Sequence, residues 1–321
     1  MARTVKISIV APRPASEREE FAASRPRKDF EKAVQHMLTH WTKVFGQVLP
    51  DHPDLILVPE VCDAYVNYPL EDKKAYYRFR GDRVRDHFSR IARENHCYVT
   101  YSASREMPDG SWRNSLQLLD RNGGVAGVYN KNHVTIGENE EGRLYGRAAP
   151  VFECDFGRVG ALICFDLNFD ELRQKYIRAK PDLLLFSSMF HGGLMQAYWA
   201  YACRAYFAAA VCGAPSAVIS PVGQTLATTT NYFEYVTAAI NLDYVVCHLD
   251  YNGARLRAMK QKYGSGVRIT DPGFLGSVLV TSETEGLSIH DLVREFELEP
   301  LDRYLERSRQ HRQGPGRIEP E

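Results

Sequence analysis

Apolar and polar positions follow two patterns along this chain, one typical of buried strands and one typical of amphipathic helices. Short runs rich in Val, Ile and Leu are bounded by Pro, Gly or charged residues, whereas longer stretches repeat apolar side chains every three to four residues. The elements that these patterns predict first are a strand at residues 5–11, a helix at 30–45, a strand at 54–60, a helix at 76–95 and a strand at 97–102. This order is typical of an α/β protein.

The rest of the chain continues in the same style. Its predicted elements are a hairpin at 115–119 and 125–130, a loop at 138–147, a strand at 159–163, a helix at 170–178, a strand at 181–188, a long helix at 194–209, a hairpin at 217–221 and 225–229, and a strand at 236–242. A charged segment at 17–28 precedes the first helix. No Pro- or Gly-rich linker divides the chain, so we predict one domain, residues 1–306, followed by a loose tail at 307–321.

The composition and charge of the chain limit the kinds of partner that we expect it to bind. Of the 321 residues, 44% are hydrophobic and 25% are charged, which is ordinary for a soluble globular protein. Lys plus Arg and Asp plus Glu number 40 each, so the chain lacks the positive excess that attracts nucleic acid or anionic membranes. The start of the chain shows no apolar signal-peptide region, and no run of about 18 apolar residues occurs. We therefore expect a cytoplasmic protein with small-molecule or protein partners.

The cysteines of this chain suggest neither disulfides nor a metal cage. There are seven, an odd number, and no two form a Cys-x-x-Cys pair. Cys164 is different from the others, because it ends the apolar run 159–163 and is followed by polar residues that start a helix. A thiol at such a strand exit is lifted clear of the sheet and is a candidate nucleophile, although a buried, inert cysteine is the alternative.

Two more ionisable residues follow predicted strands in the same way, Glu60 after 54–59 and Lys131 after 125–130. Strand ends of an open α/β sheet meet at one edge, so these side chains are expected to face a common crevice with Cys164. Glu60 can take the thiol proton, protonate the departing amine and then activate water. Lys131 and the Phe165 N–H can stabilise the oxyanion. Glu60 and Cys164 are expected to titrate as a coupled pair.

Three segments that contain these residues resemble the motifs of the nitrilase, or carbon-nitrogen hydrolase, superfamily, whose catalytic triad is Glu, Lys and Cys in that chain order. They are Leu-Val-Pro-Glu at 57–60, Tyr-Asn-Lys-Asn-His at 129–133 and Gly-Ala-Leu-Ile-Cys-Phe-Asp-Leu-Asn-Phe-Asp-Glu at 160–171. Later blocks at 181–188, 204–205 and 221–227 are also similar. The chain departs from the family at Asp170, where proline is frequent, and at Tyr206-Phe207, where Glu-Asn is frequent.

The resemblance implies a four-layer α-β-β-α sandwich with two central mixed sheets, and a homodimer or higher homo-oligomer. It implies no metal and no organic cofactor. It also implies a further loop glutamate, for which Glu138 is the match and Glu140 and Glu141 are alternatives. Because Phe165-Asp166 follows the cysteine where nitrilases usually have Trp-Glu, we expect a small amide or N-carbamoyl substrate, with a nitrile as the alternative.

Other candidates remain beside this interpretation. The side chains that we expect to hold substrate are those of Tyr65, Phe165, Phe190 and His191. His133 or His191 could instead pair with a cysteine in a thiol hydrolase, although the sequence shows no carboxylate or amide that would orient either ring. Asp166 is expected to cap the following helix. An interaction protein without turnover is the alternative from another class.

Overall fold

The computed structural model describes residues 3–15 and 29–319, so the charged segment predicted at 17–28 lies outside the described residues. The chain divides into two compact units, a larger one at 5–240 and a smaller one built mainly from the residues after 240.

The strands are β1 Thr4–Val10, β2 Leu55–Leu57, β3 Tyr98–Glu106, β4 Trp112–Leu119, β5 Val125–Asn130, β6 Val151–Cys154, β7 Gly157–Ile163, β8 Leu183–Ser188, β9 Tyr206–Val211, β10 Ala217–Ile219, β11 Thr225–Thr228, β12 Tyr235–Asn241, β13 Tyr244–His248, β14 Val267–Thr270 and β15 Ser277–Ser282. The helices are α1 Phe30–Phe45, α2 Leu70–Arg80, α3 Arg83–Glu94, α4 Ile136–Glu140, α5 Asp170–Ala179, α6 Met195–Cys203, α7 Gly253–Tyr263, α8 Ile289–Glu295 and α9 Leu301–Arg312.

Two six-stranded sheets form the centre of the larger unit, in the orders β12-β1-β2-β3-β4-β5 and β11-β10-β9-β8-β7-β6. Each sheet mixes parallel and antiparallel neighbours. Helices α1 to α3 pack on the first sheet in one buried apolar cluster. Helices α5 and α6 pack on the second sheet in another. Ser187 Oγ on β8 donates a 2.7 Å hydrogen bond to the Val58 carbonyl after β2 and so joins the two sheets. The predicted four-layer α-β-β-α sandwich is confirmed.

Helix α1 has the bounds that the apolar spacing predicts. Its N-cap, Asp29, accepts a hydrogen bond from the Lys32 N–H, and Gly46 follows its last turn. The face that carries Val34, Met37 and Trp41 is buried in the cluster on the first sheet. Local capping and the amphipathic pattern agree here, which is why the prediction is accurate.

Two predicted helices are longer than the helices of the structure, and each ends early at a residue with positive φ. The helix predicted at 76–95 is two helices, α2 and α3, because Gly81 lies between them with φ +52°. The long helix predicted at 194–209 ends at Cys203, where Arg204 adopts φ +54°. The alanine-rich segment that follows is strand β9, which is buried throughout between β8 and β10. Tertiary packing there overrides the helix propensity of alanine.

The loop predicted at 138–147 begins within α4, which a capping box between Thr135 and Glu138 initiates. In the smaller unit, three strands pair in the order β13-β15-β14, and α7 and α8 share an apolar cluster with them. Helix α9 runs through to Arg312, so the first part of the predicted tail is helical. The extent of the domain, 1–306, stays a prediction.

Candidate active site

The directions of the strands bring the predicted site residues to one edge of the larger unit. β2 runs parallel to β3, and two antiparallel steps through β4 give β5 the same direction. The carboxyl ends of β2 and β5 therefore lie at one edge of the first sheet, where Glu60 and Lys131 follow them. In the second sheet, β7 and β8 are parallel, and Cys164 and Met189 follow their ends.

Lys131 is buried between two carboxylates. Its Nζ lies 2.8 Å from Glu60 Oε1 and 2.8 Å from Glu138 Oε2, with exposed side-chain fractions of 1%, 4% and 19% for the lysine and the two glutamates. A buried ammonium requires such compensation, because an unpaired charge away from water is strongly unfavourable. The ammonium has three N–H donors, so one is left after both carboxylates are satisfied.

Asn114 and the backbone of Met189 hold the carboxylates in place. Asn114 Nδ2 donates to Glu60 Oε1 at 2.8 Å and to Glu138 Oε1 at 2.9 Å. The Met189 N–H donates to the second oxygen of Glu60 at 3.2 Å. Sequence reasoning missed both residues. Asn114 lies near the start of antiparallel β4, which reaches the same edge, so strand direction would have been the signal that finds it.

Cys164 occupies a sharp turn. It directly follows β7, it is half-buried, and its φ is +50°, in the left-handed region that non-glycine residues rarely adopt. Val61, next to Glu60, has φ +44°, although valine is β-branched. Strain of this kind persists when the surroundings over-determine it, and it concentrates at functional sites.

Asp166 stabilises this turn rather than capping α5. Its buried carboxylate accepts hydrogen bonds from the Ile163 N–H at 3.0 Å, from the Tyr129 hydroxyl at 2.6 Å and from the His133 N–H at 2.7 Å. The prediction that Asp166 caps α5 is therefore wrong, since the α5 N-cap is Phe169 and makes no side-chain cap bond; the Asp166 carboxylate instead caps the 3-10 helix Cys164–Asn168 through the Ile163 N–H. Asp166 also ties the exit of β7 to the exit of β5.

Gly146 is required for the position of Lys131. A Cβ at this residue would lie 2.2 Å from the Asn130 carbonyl oxygen. The Gly146 N–H donates a 2.8 Å hydrogen bond to the Lys131 carbonyl, and the Lys131 N–H donates to the Asn114 carbonyl at 2.9 Å. Close approach of the two backbones thus fixes the lysine from both sides.

Burial, and after it the charge of Glu60, raise the pKa of the Cys164 thiol to about 12, although Lys131 acts to lower it. The thiol also donates a hydrogen bond to Glu60. Burial alone would lower the pKa of Lys131, but Glu60, Cys164 and Glu138 raise it above its usual range. Burial opposes ionisation of Glu138 as well, yet Lys131 lowers the pKa of that carboxyl. The resting site therefore combines a neutral thiol with an ammonium.

The predicted substrate-binding residues are dispersed. Phe165 is 37% exposed beside the cysteine, and His191 is exposed after β8. Phe190 is half-buried and packs against the second-sheet core. Tyr65 is 3% exposed, its hydroxyl donates to the Ala33 carbonyl at 2.8 Å, and its ring stacks on Tyr68. Tyr65 therefore belongs to the buried apolar cluster on the first sheet, and the structure shows no contact between it and Glu60, Lys131 or Cys164.

His133 has the carboxylate partners that its sequence context did not reveal. Its Nδ1 lies 3.3 Å from Asp166 Oδ1, and its Nε2 lies 3.4 Å from Glu171 Oε1. Both ring nitrogens thus face carboxylates, and the ring stacks on Phe169. This arrangement does not favour the histidine as the base for Cys164.

Comparison with known proteins identifies the family. A model of the carbon-nitrogen hydrolase family matches residues 20–246, which is more than half of the chain. The match, together with the fold, places the chain in the nitrilase superfamily. The chain belongs to the carbon-nitrogen hydrolase family, and the resemblance carried by the three motifs is confirmed.

Two curated relatives are each similar to about half of this chain. A probable nitrilase of Schizosaccharomyces pombe is 27% identical over 160 residues, which cover 48% of this chain and 58% of the relative. The deaminated glutathione amidase of Mus musculus is 26% identical over 182 residues, which cover 50% of this chain and 56% of the relative. The chain thus spans little more than half the length of these relatives.

Solved structures share the fold. A carbon-nitrogen hydrolase from Helicobacter pylori G27 has a TM-score of 0.62 at 15% identity, covering 75% of this chain and 90% of that one. An amidase mutant from Nesterenkonia sp. AN1, with the acetamide moiety of fluoroacetamide added covalently at its active-site cysteine, has a TM-score of 0.58 at 18% identity and covers 81% of this chain and 96% of that one.

No helix within residues 3–15 and 29–319 has the length and apolar character needed to span a membrane. In the same ranges, no group of three or more His, Cys, Asp or Glu side chains is arranged to hold a metal ion.

Proposed function

We propose that this protein hydrolyses a non-peptide carbon-nitrogen bond in a small amide or N-carbamoyl compound through a thioester on Cys164. In this proposal Glu60 is the general base and acid, Lys131 stabilises the oxyanion, and Glu138 positions the lysine. The observation that carries the proposal is the buried Lys131 held by two carboxylates at 2.8 Å, with one of those carboxylates accepting the thiol hydrogen bond.

Acylation begins with a neutral thiol, because burial holds the pKa of Cys164 near 12. The sulfur attacks the amide carbon while its proton moves to Glu60, so the site needs no free thiolate. The carbonyl oxygen becomes an oxyanion, which the third N–H of Lys131 and the Phe165 N–H stabilise. Glu60 then passes the proton to the nitrogen, the carbon-nitrogen bond breaks, and ammonia or an amine leaves.

Deacylation reuses the same groups. Glu60, again a carboxylate, takes a proton from water as the water oxygen attacks the thioester carbon. The carbon-sulfur bond breaks, the thiol regains its proton, and a carboxylic acid is released. Asn114 and the Met189 N–H support this cycle because they hold both oxygens of Glu60 in fixed directions.

Two of the named relatives are amidases and support an amide as substrate, whereas the Schizosaccharomyces pombe relative is a probable nitrilase. The two amidases are the mouse deaminated glutathione amidase and an omega-amidase of Xenopus tropicalis, which is 25% identical over 185 residues, covering 50% of this chain and 67% of the relative. Phe165-Asp166 after the cysteine agrees with this choice, and Asp166 is committed to the turn that holds Cys164.

A screen for ammonia release from amides, N-carbamoyl amino acids and nitriles tests the proposal. We expect release from at least one amide or carbamoyl compound, no release in Cys164→Ala, and no inhibition by EDTA. Cys164→Ser should be nearly inactive, because an alcohol is a weaker acid than a thiol. Activity confined to nitriles would replace the amidase assignment with a nitrilase one, and full activity of Cys164→Ala would contradict the thioester.

A further inference from the structure

The two carboxylate oxygens of Glu60 differ in their partners. Oε1 accepts hydrogen bonds from Lys131 Nζ and from Asn114 Nδ2, both at 2.8 Å. Oε2 accepts one from the Met189 N–H, at the longer distance of 3.2 Å. The Cys164 thiol contacts both Glu60 and the Met189 backbone, so it lies on the Oε2 side of the carboxylate. A carboxylate oxygen has two lone pairs, so Oε1 is filled, whereas Oε2 has one left for the thiol proton.

The side-chain amide of Asn114 acts as a donor alone. Its NH2 group donates to Glu60 Oε1 and, at 2.9 Å, to Glu138 Oε1, so both of its N–H bonds are used. The residue is 1% exposed, and its Oδ1 has no hydrogen-bond partner among the described residues. A buried oxygen without a partner is unfavourable, but the reversed amide would point this oxygen at two carboxylates, which is worse. The two glutamates therefore fix the orientation of the amide.

Asn114 and Lys131 close a ring of hydrogen bonds with the two glutamates. Lys131 Nζ bonds Glu60 Oε1 and Glu138 Oε2, and the amide of Asn114 bonds the Oε1 atom of each glutamate. Two carboxylates and one ammonium carry one net negative charge, which a neutral amide does not cancel. A second cation at residue 114 would offset that charge and oppose proton transfer to Glu60. An asparagine therefore orients the carboxylate and leaves its charge in place.

We propose that Asn114 is a positioning residue that, together with Lys131, occupies Oε1 of Glu60 and so directs the thiol proton of Cys164 to Oε2. During acylation the S–H bond breaks as the Oε2–H bond forms, while the sulfur bonds to the amide carbon. Oε1 accepts from Lys131 and Asn114 whether Glu60 is a carboxylate or an acid, so the ammonium keeps its direction when the proton moves. This inference rests on the proposed function, since it adds a residue and assigns an atom to the same reaction.

Turnover by Asn114→Leu tests the inference first. Leucine has a similar size but no donor, and the bond from the Lys131 N–H to the carbonyl of residue 114 does not depend on the side chain. We expect kcat to fall about 10- to 100-fold, the scale of a hydrogen bond to a charged group, and KM to stay within about threefold. A fall confined to KM would overturn the inference.

Asn252→Leu is the matched control. Asn252 is also fully buried, and its Nδ2 donates to the carbonyls of His248 at 2.8 Å and Glu299 at 3.0 Å, all within the smaller unit. Its loss removes a buried amide with two acceptors but leaves Glu60 untouched. We expect the kcat per folded molecule to match wild type. The same fall in kcat as in Asn114→Leu would show a general effect of a lost buried amide and contradict the assigned role.

Asn114→Asp gives a readout that a purely structural role would not change. As a carboxylate, the new side chain repels Glu60 and Glu138 and donates nothing, whereas its protonated form can donate one hydrogen bond. We expect the kcat of this variant, divided by the wild-type kcat at the same pH, to rise at least about fivefold from about pH 8 to about pH 5. A constant or falling ratio would contradict the inference.

Alkylation of Cys164 by iodoacetamide tests the same link without an amide substrate. Burial and then the charge of Glu60 raise the pKa of the Cys164 thiol. Asn114→Leu leaves that charge less compensated, so the alkylation profile should move to higher pH. In a Glu60→Gln background the same substitution should cause no shift, because Asn114 acts through Glu60.

The outcomes separate this inference from the proposed function. Equal alkylation shifts in both backgrounds, or wild-type kcat in Asn114→Leu, would refute the inference alone. A shift that depends on Glu60, in a protein that releases ammonia from no amide, carbamoyl compound or nitrile, would support the link from Asn114 to Cys164 and refute the proposed function alone.

Discussion

Two buried ionic clusters in the larger unit contain similar charges but differ in the partners of their cations. In one, Arg80 Nε lies 2.6 Å from Asp63 Oδ2, and the Tyr101 hydroxyl donates to the same oxygen at 2.5 Å. In the other, Lys131 lies between Glu60 and Glu138. Each cluster lies near a cysteine, Cys62 or Cys164 respectively.

The clusters differ in how many donors are already used. The terminal nitrogens of Arg80 donate to the carbonyls of Gly81 and Ser104, so the planar fork is committed to the backbone. Lys131 has two carboxylate partners and a third N–H, and Glu60 also accepts from the thiol. The Arg80 guanidinium is thus held by the backbone and by Asp63, whereas a buried ammonium with a spare donor beside a thiol can take part in a reaction.

The largest effect should come from the Lys131 cluster. Glu60→Gln keeps size and hydrogen bonding but removes the base, so kcat should fall roughly 10³-fold, about 4 kcal/mol of transition-state stabilisation. Lys131→Ala should cost a similar factor. The free energy of unfolding of Glu60→Gln should change little, because Lys131 keeps Glu138 as partner. Steady-state kinetics measures kcat, and urea unfolding measures the free energy of unfolding. A kcat of Glu60→Gln within tenfold of wild type would contradict the role of Glu60 as the base.

The Arg80 cluster should behave in the opposite way. Asp63→Ala leaves a buried guanidinium without its carboxylate, so the free energy of unfolding should fall by about 3–5 kcal/mol. Activity per folded molecule should stay within a few-fold of wild type. Asp63→Ala/Arg80→Met removes both charges and should recover much of the loss. Unfolding by urea checks this, and a double variant no more stable than the single one would show that the pair is not the cause.

The contrast between the two clusters marks what the sequence could and could not predict. The sequence predicts that Glu60, Lys131 and Cys164 lie near one another because each follows an apolar strand and parallel strands align their ends. Asn114 was missed because it lies inside a strand, where its side chain has no distinct pattern. The left-handed turns at Val61 and Arg204 were missed because tertiary contacts, not local propensity, impose them.

A smaller effect should separate the loop glutamates, for which the sequence left three candidates. Glu138 contacts Lys131, Glu140 is exposed, and Glu141 pairs with Arg143 at 2.5 Å. Glu138→Gln should lower kcat about 10- to 100-fold, because the ammonium loses one of its two fixed charges. Glu140→Gln should stay near wild type in the same assay. The reverse ranking would move the role along the loop.

The smallest effect is a shift in the alkylation profile of Cys164. Burial and then the charge of Glu60 raise the pKa of this thiol, so its alkylation by iodoacetamide should keep increasing above pH 9 in wild type. Glu60→Gln removes a negative charge, which lowers the pKa of the thiol, and the profile should move to lower pH while turnover is lost. Peptide mass spectrometry after labelling at each pH measures the extent of Cys164 alkylation. A shift to higher pH would contradict the electrostatic account.

Trapping the acyl-enzyme tests the central claim most directly. Wild-type protein is mixed with its best amide substrate, quenched in acid within milliseconds, and its intact mass and peptides are measured. We predict a mass increase equal to the acyl group, located on the peptide that contains Cys164, removed by neutral hydroxylamine and absent in Cys164→Ala. An acyl group on another residue, or wild-type turnover in Cys164→Ala, would contradict the account.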